Sequence, residues 1–243
     1  MFDNLKFDFS GRTALVAGGS RGIGKGVVDA LTAAGARAFY ASRHPMLDEP
    51  DGAVHLPCDI TDENQVTAMF RTLDEKGGLD FMVNSAAINY AKKIEDVSYE
   101  EWRRVVNVNL DAAFLLCKHS LAMMKPRGFG RIVNVSSIAG RHRSVVSGVH
   151  YVSSKAGMIG LTRQLAFEAA RFGITVNAVA PSQTMTDMLK ESMTDEQVRN
   201  LEANIPLGRI AEVDEQVGPI LFLLSDAAAY MTGTFLDVNG GQI

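Results

Sequence analysis

Only two cysteines occur in the 243 residues, too few for a disulfide framework. Cys58 ends a strand-like run and Cys117 lies in an apolar helical stretch, so both read as small buried residues. There is no excess of positive charge. The formal net charge is −4, which gives no basic field for a nucleic-acid partner. No apolar run is long enough to span a bilayer. The opening M-F-D-N-L-K-F-D-F has acids where a secretory signal would carry bases and then an apolar core, so a cytoplasmic protein is expected. Repeats, low-complexity tracts and linkers are also missing, which argues against a solenoid or a string of modules. What remains is 47% hydrophobic and 21% charged residues, a globular composition at a length suited to one domain.

Strand-like and helix-like segments alternate along this chain. Strands are expected at 12–17, 36–42, 53–58, 79–84, 131–136, 174–180 and 234–238, and helices at 22–34, 62–76, 99–125, 151–172, 187–203 and 213–226. Such alternation predicts an α/β fold, a doubly wound parallel sheet of about seven strands covered by helices on both faces. Asp62 and Ser98 stand where helices would start, and Ser98 with Glu101 makes a capping-box pattern.

Two features carry chemistry. The strand R-T-A-L-V-A runs directly into G-G-S-R-G-I-G (Gly18 to Gly24), followed by a helix with Ile23, Val27 and Leu31 on one face. Strand, glycine turn and helix N-terminus form a dinucleotide-phosphate site: glycine lets the backbone approach a pyrophosphate, and the free N–H groups face it. The second feature is Y-V-S-S-K, with Tyr151 and Lys155 four residues apart. On a helix they share a face, so the Lys155 ammonium is expected beside the phenol, lowering its pKa toward a range useful for acid–base work. Alone, the second pattern is better read as a surface tyrosine and a solvated lysine.

Together, the G-x-x-x-G-x-G spacing (Gly18, Gly22, Gly24) and Tyr-x-x-x-Lys resemble the short-chain dehydrogenase/reductase family over nearly the whole chain. The resemblance implies a one-domain Rossmann fold over residues 1–243, a nicotinamide cofactor, and interconversion of a carbonyl and a secondary alcohol. It implies cofactor contacts from Gly18, Ser20, Arg21, Gly22, Ile23 and Gly24 in the loop, with Asp59 and Ile60 after the third strand. Asn84 and Ala86 in N-S-A-A, and Pro181, Thr184 and Thr186 after the sixth strand, complete that side. Asp59 also fits a turn acid, since Thr61 and Asp62 follow it. Ser85, Ala87, Ala17 and Ser182 depart from the residues the family commonly has at their positions, and T-G-T-F-L-D-V-N-G-G matches its last strand and turn.

Ser42 stands where NAD-using relatives carry a carboxylate, and Arg43 follows it. With Arg21 it offers two guanidinium groups to a 2′-phosphate, so NADP(H) is the expected cofactor. A solvated strand end is the alternative for Arg43.

For catalysis the resemblance implies Asn109, Ser137, Tyr151 and Lys155, with Ser136 as the alternative serine, because the 140–149 loop holds one residue more than the family often has. Ser137 and Tyr151 would hydrogen-bond the substrate oxygen, Tyr151 would supply the proton, and Lys155 would also bind the nicotinamide ribose. Asn109 would hold a water leading to the lysine, or is a buried helix asparagine bonded to backbone. No metal is expected. Residues 183–210 correspond to the family's mobile lid.

The substrate is read least sharply. A general NADPH-dependent carbonyl reductase ranks first, followed by a 3-oxoacyl thioester reductase and an NAD-dependent polyol or hydroxy-acid dehydrogenase. An NADP(H)-sensing regulatory protein is the non-enzyme alternative, disfavoured by the complete catalytic set. Arg127 and Arg171 resemble positions that dock an acidic carrier protein, whereas residues 89–98 are similar to sugar or polyol dehydrogenases. His142 or Arg143 would meet an anionic group or lie in a solvated loop. A homotetramer or homodimer is implied, through helices 99–125 and 151–172, with Phe114, Leu115, Met158 and Leu161 as candidates for the contact.

Overall fold

In the computed structural model, residues 6–186, 189 and 194–243 are described. Seven parallel strands form one sheet: β1 (Thr13–Ala17), β2 (Arg37–Ser42), β3 (Ala53–Pro57), β4 (Phe81–Asn84), β5 (Gly130–Val135), β6 (Ile174–Pro181) and β7 (Phe235–Val238). Their order is β3-β2-β1-β4-β5-β6-β7, the doubly wound arrangement expected. The helices are α1 (Gly22–Ala33), α2 (Glu63–Glu75), α3 (Tyr99–Val106), α4 (Ala112–Met124), α5 (Val149–Ala169), α6 (Asp195–Glu202) and α7 (Val213–Leu224). Of the expected helix 187–203, residues 187, 188 and 190–193 lie outside the described residues.

Strand alternation divides the interior into two cores. Leu15 and Ala17 of β1 face one, with Val66, Met69 and Phe70 of α2 and Leu116 of α4. Ala14 and Val16 face the other, with Val27 and Leu31 of α1 and Val217, Ile220 and Leu221 of α7. Successive side chains on a strand point to opposite faces, so a sheet covered on both sides needs apolar residues at every position. Every residue of β5 and β6 is buried, and most are apolar, with Arg131, Asn134, Thr175 and Asn177 as buried polar exceptions. Cys58 and Cys117 are buried as expected, and burial pushes their thiols up to about 11 and about 12. Ser98 and Glu101 form the capping box at α3, and Asp62 accepts from the Asn64 and Gln65 amides at α2.

One expected element is interrupted. The stretch 99–125 consists of α3, a π-helical turn over Asn107–Asp111, and α4. Apolar spacing does not reveal a local widening to i→i+5 bonding, because the apolar stripe resumes on the far side of the turn. Asn109 sits at the centre of that turn and is fully buried.

Strand order reverses between β1 and β4, which opens a crevice at their carboxyl ends. Among the described residues no helix is long and apolar enough to cross a membrane.

Candidate active site

A cleft of about 1170 Å³ lies over that switch point. Its floor is the glycine loop, where Gly18 takes φ +75°, and a Cβ there would come within 2.8 Å of the Ala86 backbone. A Cβ on Gly24 would stand 2.2 Å from the Gly18 carbonyl oxygen, so α1 can begin this close to the loop only with glycine. The first turn of α1 therefore opens onto the cleft, and its N-cap residue Arg21 makes no side-chain capping bond among the described residues. This cradle fits a dinucleotide pyrophosphate, which backbone N–H groups at a helix start can bind.

Of the residues expected here, Gly24, Asn84 and Asn109 stand behind the wall, and the others line the cleft. Each of the three is buried for a structural reason. Gly24 lets helix and loop touch. Asn84 accepts at Oδ1 from the Ala86 amide at 3.3 Å, which shapes the loop after β4. Asn109 donates from Nδ2 to the Ile88 carbonyl and to Ser154 Oγ, both at 3.0 Å, and accepts from the Ile88 amide at 2.9 Å. It clamps the loop after β4 to α5, the backbone-bonded alternative for this residue.

At the adenosine end, no carboxylate follows β2. The Ser42 hydroxyl donates to the His44 carbonyl at 2.6 Å and lies 3.1 Å from His55 Nε2. Arg21 and Arg43 are exposed on the cleft, and neither makes an ion pair among the described residues. Asp59 accepts from the Thr61 hydroxyl at 2.7 Å and its amide at 3.0 Å, and these bonds hold its carboxyl below the usual range. It is thus a turn acid that also lines the cleft.

At the other end, Ser137, Tyr151 and Lys155 converge on the cleft. The two serines divide their work. Ser136 is 2% exposed and donates to the Lys155 carbonyl at 3.1 Å, whereas Ser137 is half-buried and hydrogen-bonded to Tyr151. Lys155 is buried, with Nζ 2.7 Å from the Val135 carbonyl oxygen and 5.6 Å from the centre of the Tyr151 ring. Burial pushes its pKa down to about 7. Burial also raises the Tyr151 phenol, against a smaller downward pull from Ser137. This reverses the expected direction for Tyr151. Sharing a helix face brings lysine and phenol together, but the same burial destabilises both ionised forms.

Sequence reasoning missed several contributors. The Val135 carbonyl that anchors Lys155 carries no side-chain signal. Arg104 of α3 and Asn107 and Val108 of the π-helical turn line the cleft wall. Arg127, expected at a carrier-docking face, donates to the Gly77 carbonyl at 2.8 Å and to Asp80 at 3.1 Å, and so is committed to the fold. Arg171 lies over the Phe172 ring at 4.7 Å. His142 and Arg143 are exposed and do not line the cleft, while Arg141 pairs with Asp237. Of the four apolar candidates for a subunit contact, Met158 is fully buried in the protein's own core and Leu115 and Leu161 pack partly against it. Only Phe114 is exposed, at 51%.

Comparisons with known proteins agree with this geometry. The family model described as enoyl-(acyl carrier protein) reductase matches residues 17–242. The chain is 35% identical over 242 residues to a 3-oxoacyl-acyl-carrier-protein reductase of Vibrio cholerae, covering 97% of this chain and 98% of that one. It is 38% identical over 239 residues to an acetoacetyl-CoA reductase of Rhizobium meliloti, covering 95% and 98%. A solved short-chain dehydrogenase from Leptospira borgpetersenii with bound NAD⁺ superposes with a TM-score of 0.91 at 29% identity, covering 100% and 98%. Glycine cradle, switch-point cleft and full-length similarity converge: the chain belongs to the short-chain dehydrogenase/reductase family, an oxidoreductase of carbonyl and CH–OH groups with a nicotinamide cofactor.

Proposed function

We propose that this protein is an NADP(H)-dependent reductase of a ketone carbonyl, with Tyr151 as general acid. The observation that carries this reading is the meeting of Tyr151, Ser137 and Lys155 in the same cleft that the glycine cradle lines. When bound, the nicotinamide supplies the hydride and a carbon centre of the substrate receives it. Ser137 and Tyr151 then hold the substrate oxygen, and their hydroxyls stabilise the charge that develops there. The raised phenol keeps Tyr151 protonated at neutral pH, the form that donation to an alkoxide needs. Lys155, held by the Val135 carbonyl, sits where an ammonium supports the phenolate left behind. Asn109 acts through position, fixing the Ile88 loop and Ser154 one turn from Tyr151.

Arg21 and Arg43, which line the cleft on the adenosine side and make no ion pair among the described residues, support NADP(H) over NAD(H). A fluorescence titration should give NADPH a lower Kd than NADH by about tenfold or more, since charge-assisted bonds to a phosphate contribute roughly 1.5–3 kcal/mol. Arg43→Asp should weaken NADPH binding and spare NADH. Equal affinities in the wild-type protein would count against the clamp and favour NAD.

Among carbonyl substrates, the two relatives named for 3-oxoacyl chemistry support a 3-oxoacyl thioester. Because Arg127 is engaged by Asp80 and Gly77, delivery by a soluble thioester fits better than docking of an acidic carrier through that residue. Turnover of acetoacetyl-CoA with NADPH tests this, and activity confined to sugars or polyols would replace it. Residues 183–210 are read as a substrate cover, because Thr184 and Thr186 line the cleft while Met185 packs against the small cluster of Leu201, Ile205 and Ile210. The same reading places the protein in the cytosol as a homotetramer or homodimer joined through α4 and α5, where Phe114 and Phe167 are exposed.

A further inference from the structure

The residue before the catalytic tyrosine has no role in the reading above, yet it is one of the most buried polar groups in the protein. His150 is 0% exposed. It occupies the second position of α5, whose N-terminal residue Gly148 has no side chain to cap the helix. Nothing larger than glycine fits there: a Cβ would stand 2.6 Å from both the His150 ring and the Tyr90 carbonyl oxygen. The first amides of a helix have no partner within it and need an acceptor from elsewhere. His150 folds back to provide one, its Nδ1 lying 2.8 Å from the Tyr151 amide. That amide also donates to the Gly148 carbonyl at 3.1 Å. An accepting Nδ1 requires the neutral ring with its proton on Nε2. The Nε2 atom is buried and has no partner among the described residues.

The surroundings tie this ring to the substrate side. Tyr90, on the loop after β4, meets it edge-on at 6.0 Å. The Tyr90 carbonyl accepts from the Gly148 amide at 3.0 Å, so that loop and the start of α5 are held together at this point. The charged groups facing the ring are Glu101 of α3, which favours its charged form, and Lys92 of the loop, which opposes it. They pair with each other at 2.6 Å, so their effects largely cancel. Burial is the larger influence and keeps the imidazole neutral below the ordinary histidine range.

We propose that His150 is a positioning residue for Tyr151: its neutral imidazole caps the catalytic helix, and its protonation releases the tyrosine from the geometry that reduction requires. Protonation turns Nδ1 into a donor facing another donor, the Tyr151 amide, so the first turn of α5 has to shift. This inference rests on the reading of Tyr151 as the proton donor, and the two fail differently: turnover surviving in Tyr151→Phe sinks that reading, whereas the His150 variants probe the cap.

The test compares His150→Asn, which keeps an acceptor but cannot titrate, with His150→Phe, which keeps a ring but has no acceptor. Initial rates of acetoacetyl-CoA reduction are measured between about pH 5 and 8, alongside NADPH titrations and circular dichroism. The wild-type kcat should fall on the acid side. His150→Asn should keep its neutral-pH rate within about threefold and lose that acid limb. His150→Phe should lose roughly tenfold in kcat, the scale of one well-aligned hydrogen bond, with NADPH affinity unchanged. An acid limb identical in wild type and His150→Asn overturns the proposal, as does an unaltered kcat in a folded His150→Phe. Nitrogen-15 spectra of histidine-labelled protein add a readout that needs no substrate and no variant. The His150 ring should be neutral with its proton on Nε2 at pH 7, and a charged ring or the opposite tautomer overturns the assignment.

Discussion

Tyr151→Phe should lower kcat for carbonyl reduction by about 10²- to 10⁴-fold, the usual contribution of a positioned general acid, while NADPH still binds. The substitution removes one oxygen and leaves the ring, so its packing beside Lys155 is retained. Ser137 would remain to donate to the substrate oxygen, which sets a floor under the residual rate. The pH dependence has a definite sign. Because burial raises the phenol, the protonated form persists through neutral pH, so the limb that Tyr151 governs should be level there and decline at alkaline pH, separate from the acid-side fall assigned to His150. Oxidation of the corresponding alcohol needs the phenolate and should rise with pH over the same interval. A variant that loses NADPH binding together with turnover would point to a collapsed cleft rather than a missing acid. Stopped-flow single turnovers, with cofactor binding followed separately, distinguish the two.

Lys155→Met should abolish measurable turnover and, in the cofactor-free protein, raise stability at neutral pH. Lys155 is buried, the only hydrogen bond of its ammonium among the described residues goes to the Val135 carbonyl, and its pKa falls from the ordinary 10.5 to about 7. That displacement corresponds to about 5 kcal/mol at 1.36 kcal/mol per pKa unit. Between about pH 7 and 10.5 the unfolded chain binds a proton that the folded one has released, so wild-type stability rises with pH through this window. The cost of the buried ammonium is therefore full below about pH 7 and relieved by about pH 10.5. Methionine has a similar length and no charge to bury. After allowing for the unpaired Val135 carbonyl, the variant should gain on the order of 3 kcal/mol at pH 6, and the gain should vanish toward pH 10. Chemical denaturation of both proteins at the two pH values checks this. A destabilised variant at pH 6 would show that hydrogen bonding outweighs desolvation at this site. Stability given up at a functional residue is the expected pattern where a buried group is kept for chemistry.

All seven strands were legible in the sequence: a sheet covered on both faces favours mostly apolar central strands such as A-L-V-A in β1, and the part-exposed β3 and β7 still read as short strand-like runs between helical segments. The helix starts at Asp62 and Ser98 were legible because capping is local chemistry between residues two or three apart. The interruption at Asn107–Asp111 was not, since a π-helical turn changes hydrogen-bond register without changing which residues are apolar. The roles of the charged and polar residues divided in the same way. Arg21 and Arg43 follow directly from their positions beside the glycine loop and the end of β2, whereas the capture of Arg127 by Asp80 involves a partner 47 residues away.

The chain alone determined the fold class, the glycine cradle, and the presence of a tyrosine and a lysine on one helical face, because each depends on short-range spacing and backbone sterics. Tertiary structure decided the electrostatics. Which of Ser136 and Ser137 faces the cleft, how deeply Lys155 is buried, and which way the Tyr151 phenol shifts depend on what packs around α5 from β5, α3 and the loop after β4. Those neighbours are distant in sequence, and the cost of removing a charge from water is set by all of them together.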